Sequence, residues 1–455
     1  MITRIQVDGF KTLQNVDIPL RPFQVFAGAN NVGKSNLFDV IKLLSMLPDH
    51  DLPEILQSLR GDPYEVFTQL PDGSFVNKMN IVVDILLDPT FEDEFEGTVK
   101  LNHNRLRYEI EIAREESNSK GRVVVSGEQL YTIPTSENIP WQSSEAFQRT
   151  YIQPFLPDKD VKYISVKGDA ETTIHHDPVK RGRPRTMRSG SRQSVLSVIR
   201  DAHDFPHISA VRGELQRWKQ IHLDPEVMRE PNAVDGPDRM TSSGRYLAAC
   251  LHRIMQSDET VAFEMSNWVR RFIPGAQSID VRHMQDLHQY LLELHTVDGR
   301  TFSSRVISDG TLRILALLAL QYDPDQSGVI SLEEPENGIH PRRLSNVVSI
   351  LRNMSTDLED EHFDAEYVDK FRQVLINTHS PILVNELQPE DIIVVETSNQ
   401  LQRDLNRFVR HTIYSPIIRP FNNKSIDIVR EQIRELLEER DLGEIWTSGA
   451  IGGVP

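Results

Sequence analysis

Apolar and polar residues alternate from the start of the chain. ITRIQVDGF, VDIPL and FQVFAG each put every second side chain on one face, the period of a half-buried strand. From Lys34 the period lengthens. Leu37, Val40, Ile41, Leu44 and Leu47 recur at helical spacing, which predicts an amphipathic helix. Strand patterns return at 79–88 and 105–113, and more weakly at 121–127. Residues 135–195 are rich in Ser, Pro and charge and predict loops over an adjoining subdomain. Helical spacing dominates from Val195 to Phe272, as in SSGRYLAACLHRIMQ and ETVAFEMSNWVRRFI. A strand at 290–297, a helix at 311–322, central strands at GVISL and 373–380 and a further strand at 391–396 complete the pattern. There is no internal repeat and no sustained heptad.

Between the third strand and the first helix stands Gly28-Ala-Asn-Asn-Val-Gly33-Lys34-Ser35, the phosphate-loop pattern in its expected strand–helix context. Glycines let backbone N–H groups curl around phosphates, and the helix N-terminus adds positive potential. Lys34 has the reach for the β- and γ-phosphates, and the Ser35 hydroxyl can ligate Mg²⁺. Asn30, Asn31 and Asn36 belong to the same candidate nucleotide-binding set. The alternative is a glycine-rich turn that happens to contain GKS. A second motif, GVISLEEPENGIHP at 328–341, runs a buried strand into Glu333 and Glu334. Adjacent carboxylates repel, and a divalent cation offsets that repulsion. Glu333 therefore reads as the carboxylate facing the metal, and Glu334 as the group that polarises an attacking water. The alternative here is a solvated strand end before the turn at Pro335.

The nucleotide-type motifs sit at the two ends of the chain, so the middle reads as an insertion. The expected division is an N-terminal ATPase lobe with a β subdomain (1–134) and an inserted loop-rich and helical subdomain (135–287). A C-terminal ATPase lobe (288–400) and a tail (401–455) complete it. At 455 residues there is length for two or three domains. A net charge of −17 gives the whole molecule no attraction to nucleic acid. One segment departs from that balance: KRGRPRTMRSGSR (180–192) gathers six Lys and Arg without an acid. Lys180, Arg181, Arg183 and Arg185 there are candidate nucleic-acid contacts, Arg-Gly-Arg-Pro resembling a hook that enters the narrow minor groove of A·T-rich DNA. A flexible solvated loop is the alternative. The lone Cys250 excludes an intramolecular disulfide and a multi-cysteine metal cluster. No run of about 18 apolar residues and no apolar signal core in MITRIQVDGF are present, so a cytoplasmic protein with no membrane partner is expected.

The ordered set GANNVGKS, ISDGTLRILALLAL, ISLEEPENGIHP and INTHSP resembles the ABC-type ATPases of the SMC, RecF and OLD group. It looks closest to short members of that group without a Toprim domain. The resemblance covers 1–48 and 288–396 and implies an α/β fold. That fold would be an ABC-type P-loop ATPase head with a β-rich lobe and a large, mainly helical insertion. It also implies ATP and Mg²⁺ as cofactors, and Glu334, Lys34 and His379 as catalytic residues. Ser308 and Gly310 would be the signature residues that meet the γ-phosphate held by a partner subunit. The alternative for Ser308 is an ordinary helix cap, and for His379 a structural histidine. Asp309 departs from the commoner second glycine of the signature, and Glu333 from the commoner aspartate. Asn337 falls where the family makes contacts across its dimer. By the same resemblance Gln69 is a weakly marked metal contact and Lys11 a basic residue near the nucleotide. The closing GEIWTSGAIGGVP also resembles the tail of such proteins.

The function implied by this resemblance is that of a homodimer or larger homo-oligomer closed around ATP. It would clamp or scan double-stranded DNA, in anti-phage defence or DNA repair. A regulatory switch that holds or releases a separate nuclease-type effector is the second reading. Only 59 residues come after Glu396, without an Asp-x-Asp pair, so a Toprim nuclease within this chain is not expected. A transporter ATPase ranks third, because residues 49–287 exceed the usual transporter arm. Absent heptads exclude a long-armed SMC protein.

Overall fold

Strands buried on both faces dictate the centre of the molecule. Phe23–Ala27 is buried at every position, and Gly328–Glu333 at all but the last. Strands of this kind need cover on both faces, which parallel sheets supply. The computed structural model describes residues 1–93, 97–115, 122–137, 139, 141, 143–157, 159–167, 171–177, 183–188, 190–361, 371–402, 407–417 and 441–448. Its six-stranded central sheet runs in the order Lys219–Ile221, Gly328–Glu333, Arg372–Thr378, Phe23–Ala27, Ile392–Gln402 and Arg407–Pro416. The first five strands pair in parallel and the last is antiparallel. Side chains alternate between two cores. Phe26, Val329, Leu375 and Val395 enter one, while Val25, Ile330, Ile376 and Val394 enter the other.

The first core is closed by an antiparallel sheet of eight strands. Its order is Arg185–Arg188, Glu171–Ile174, Lys162–Lys167, Arg122–Thr132, Arg105–Glu115, Lys78–Leu86, Ile2–Asp8 and Val16–Pro19. Three of these strands come from the 135–195 stretch expected as loops. They are short, and Arg185–Arg188 leaves only Met187 short of full exposure, so the segment carries little periodicity of its own. The neighbouring strand edge organises it: Leu130 pairs with Ile164, Ile174 with Ile164, and Ile174 with Arg185.

The second core holds the later helices of the insertion and those of the C-terminal half, whereas Pro206–Gln216 packs into the first. Leu247–Ser257 and Glu259–Phe272 pack with a small sheet made by Asn232–Ala233, Ala276–Met284, Gln289–Thr296 and Thr301–Ser303. The helix Asp309–Tyr322 runs through this core, buried along nearly its whole length. Among the described residues no helix is long and apolar enough to cross a membrane.

One polar side chain joins the β-rich lobe to the central sheet. The Gln373 amide, fully buried, donates to the Ile2 and Arg21 carbonyls (2.8 and 2.9 Å) and accepts from the Ile2 N–H (2.8 Å). Replacing it by an apolar isostere strands buried backbone groups. We expect Gln373→Leu to lower unfolding free energy by about 3 kcal/mol, read from denaturant titration at constant slope. A loss below about 0.5 kcal/mol would show that water or rearrangement satisfies those groups.

Candidate functional site

Parallel register brings three strand ends to one edge. Ala27 lies beside Thr378, and Glu333 beside Asn377, so the phosphate loop, the paired glutamates and His379 all leave the sheet at its carboxyl ends. Crevices at that edge are where α/β sheets bind ligands. The loop is tied down at its start by the Gly28 N–H, which donates to the Thr378 carbonyl (3.2 Å). It ends in the helix Lys34–Met46, whose N-cap is Gly33 at φ 103° with no side chain capping the first turn. The uncapped amides of that first turn suit an anion.

An open cavity of about 570 Å³ separates the loop from the glutamates. Asn30, Asn31, Gly33, Lys34, Ser35 and Asn36 form one wall, and Glu333, Glu334, Asn377 and Arg60 the other. Lys34 is buried and its ammonium donates to the Gly28 and Ala29 carbonyls (2.6 and 2.7 Å). Burial lowers its pKa, and the nearby carboxylates of Glu334 and Glu336 pull it back up. Among the described residues the Ser35 hydroxyl makes no hydrogen bond. A cationic donor, a free hydroxyl and an uncapped helix opposite two carboxylates fit a phosphate chain with a divalent cation.

Glu334 is held more tightly than a strand end requires. Its backbone is left-handed (φ 46°), a conformation costly for a residue with a Cβ. Its N–H is shared between the Asn377 backbone carbonyl and side-chain oxygen, both at 3.1 Å. Its carboxylate accepts from the Asn337 amide (2.8 Å) and pairs with His379 Nδ1 (2.7 Å). Burial works against the charge, but those two bonds and Lys34 outweigh it, so Glu334 titrates below the usual glutamate range. Glu333 is neutralised separately, by Arg60 (2.5 Å), and accepts from Gln220 (3.0 Å). Glu336, which sequence reasoning left without a role, is buried under the pair. It accepts from the Thr378 hydroxyl through one oxygen, and its other oxygen has no partner among the described residues.

Ser308 caps the helix Asp309–Tyr322, accepting from the Thr311 N–H at 3.4 Å. Ser308 is exposed and does not line the cavity of its own chain. The extra charge of Asp309 is met by Arg229, which also donates to the Ile307 carbonyl at 3.1 Å. Gly310 serves a packing need: a Cβ there would sit 2.4 Å from the Gly338 carbonyl, in the turn after the glutamates. The helix start and the glutamate turn therefore form one unit.

Two expected contacts are not brought to the cavity. The Lys11 ammonium is taken by Asp39 (2.7 Å) and the Arg60 carbonyl (2.9 Å), so it braces the Arg60 loop. The Gln69 amide lies 3.5 Å from the Gly73 carbonyl, and the residue sits in a turn away from the cavity. In the basic segment Lys180 and Arg181 lie outside the described residues. Arg183 precedes, and Arg185 begins, the exposed edge strand Arg185–Arg188, with the Arg185 guanidinium over the Phe205 ring at 4.9 Å. Sequence reasoning missed Arg60, Asn377, Thr12 and Thr412. Only Asn377 stands in a recognisable motif, two residues before His379.

A family model described as "AAA domain, putative AbiEii toxin, Type IV TA system" matches residues 23–385. No curated protein matches the chain. Solved structures similar to it include the Smc head bound to the C-winged helix domain of ScpA. That likeness has a TM-score of 0.49 at 12% identity, over 91% of this chain and 98% of that one. Another is the Smc head with an extended coiled coil bound to the C-terminal domain of ScpA from Pyrococcus furiosus. Its TM-score is 0.45 at 13% identity, over 95% and 99% of the two chains.

Burial raises the pKa of Glu336, with Glu334 adding to the shift and the Thr378 hydroxyl opposing it. A carboxyl raised on folding favours the folded state below its ordinary value of 4.5 and disfavours it as pH climbs through the folded value. Glu336→Gln removes that penalty. Its thermal midpoint relative to wild type should therefore be higher at pH 8 than at pH 4.5. The same difference at both pH values would mean that Glu336 is not a buried titrating group.

Proposed function

The chain belongs to the AAA-domain family described as a putative AbiEii toxin of a type IV TA system, and from that premise we propose that it binds and hydrolyses ATP with Mg²⁺. The supporting observation is the opposition, across one cavity, of Lys34 and Ser35 to a glutamate fixed by Asn337, His379 and Asn377. Ser35 and Glu333 would hold Mg²⁺, which when bound neutralises phosphate charge and acts as a Lewis acid. Lys34 exchanges the loop carbonyls for phosphate oxygens. Glu334 orients a water and accepts its proton as the water oxygen bonds to the γ-phosphorus and ADP departs. His379 positions Glu334 through Nδ1–H, and Asn337 through its amide.

Two copies complete the site. Ser308 stands exposed at the start of a 14-residue helix, off its own cavity, so its hydroxyl and the positive end of the helix dipole can meet a nucleotide carried by a second chain. Closure on ATP and reopening after hydrolysis then make a clamp. Arg183 and Arg185, on the exposed edge of the β-rich lobe, supply the contact to DNA phosphates. The second reading is a switch that works through a separate effector chain in defence, with which a family description naming a toxin of a type IV TA system is compatible.

Glu334→Gln should cut ATP turnover by about 100-fold or more while keeping ATP affinity, and should accumulate an ATP-held dimer in solution mass measurements. Unchanged turnover removes Glu334 from the chemistry, and a mass indifferent to ATP removes the sandwich. Replacing both Arg183 and Arg185 by Ala should lower the slope of log affinity for duplex DNA against log salt by about 2. An unchanged slope, together with a co-purifying effector chain, turns the reading to the switch.

A further inference from the structure

We infer that Thr412 and Tyr414 are positioning residues of the phosphate loop, acting from a strand outside the stretch that the family model matches. The inference rests on the nucleotide reading of the cavity. Across a trans peptide the C=O and the following N–H point in opposite directions. A loop that aims N–H groups at an anion must therefore turn the paired carbonyls away from it, where each needs a donor.

The strand Arg407–Pro416 supplies the donor for the Val32 carbonyl from behind and a second donor for the Gly33 carbonyl, which the Asn36 N–H also reaches at 3.0 Å. The Thr412 hydroxyl donates to the Val32 carbonyl (2.9 Å), and the Tyr414 hydroxyl to the Gly33 carbonyl (3.1 Å). With those two carbonyls fixed, the N–H groups of Gly33 and Lys34 are turned to the opposite side. A chain of donors backs the arrangement. The Thr412 proton is committed to Val32, so the 2.7 Å contact between Thr12 and Thr412 is donated by Thr12. The Asn36 amide donates in turn to Thr12 at 2.8 Å. Donation thus runs one way from the first turn of the loop helix back into the loop, and such chains reinforce themselves. The fit leaves no space: a Cβ on Gly33 would lie 2.3 Å from the Thr412 oxygen and 2.8 Å from that of Thr12. Tyr414 is fixed further by an edge-on contact with Phe26, ring centres 6.0 Å apart, on the strand that leads into the loop.

The test compares wild type with Thr412→Val, Tyr414→Phe and Thr412→Ser, using calorimetric titration with ATP in excess Mg²⁺, steady-state turnover and apo thermal midpoints. Each hydroxyl-deleting variant should weaken ATP binding about fivefold, the affinity equivalent of one neutral hydrogen bond. KM should rise while kcat changes by less than about twofold, as for binding lost equally from ground and transition states. Thr412→Ser, which keeps the hydroxyl, should bind within about twofold of wild type. Wild-type affinity in both Thr412→Val and Tyr414→Phe overturns the inference alone. So does weak binding that Thr412→Ser fails to restore and that comes with a collapsed apo midpoint, because the role is then structural. No ATP binding by wild type overturns the inference and the nucleotide reading together.

Discussion

The parallel register of Phe23–Ala27, Arg372–Thr378 and Gly328–Glu333 decides where the chemistry can be. It sets Ala27 beside Thr378 and Asn377 beside Glu333, so three loops start within one or two strand spacings of each other. A slip of one residue in any of these strands would exchange the two cores. Phe26 would leave the core it shares with Phe38, and Val25 and Ala27 would enter it. Core packing therefore fixes the register, and the register fixes the distance between the phosphate loop and the glutamates. The site inherits its geometry from apolar residues that never touch it.

Charge is balanced locally and pair by pair around that edge. Lys34 is buried among loop carbonyls with Glu334 and Glu336 as its counter-charges. Glu334 leans on His379 and Asn337, Glu333 on Arg60, and Asp309 on Arg229. The adjacent carboxylates of Glu333 and Glu334 thus have separate partners, which removes the repulsion that makes EE an unusual strand end. Arg60 holds a carboxylate that a metal would also claim. Lys11 anchors the Arg60 loop through its carbonyl, so a residue that sequence resemblance put beside a nucleotide braces the loop that carries the partner of Glu333.

What the sequence made legible was local. GANNVGKS carries its own strand and helix within about 25 residues, and EEPEN and NTHSP each come after an apolar run whose length marks a buried strand. Partners that depend on long-range pairing left no local trace. Arg60 reaches Glu333 across 273 residues, and Thr412 meets Thr12 across 400. The strands Lys162–Lys167, Glu171–Ile174 and Arg185–Arg188 were illegible for a related reason: each short strand takes its order from the strands it pairs with. Gln69, weakly marked by resemblance, sits in its own turn, beside Gly73 and Phe75.

The family match spans 23–385, yet the phosphate loop is braced from Thr12 and from Arg407–Pro416 on either side of that span. The strand Arg407–Pro416 is the antiparallel edge of the central sheet, attached through ten paired positions to Ile392–Gln402. The strand Ile392–Gln402 in turn pairs with Phe23–Ala27, the strand that enters the loop. The loop is therefore gripped twice by the same C-terminal hairpin, through the sheet ladder and through hydroxyl donors. An event that shifts the hairpin must move the loop carbonyls with it. An anion that draws the loop amides forward must pull on Thr412 and Tyr414. If the cavity binds a nucleotide as proposed, linkage would make that coupling reciprocal, and the C-terminal hairpin would respond to the loop without touching the ligand.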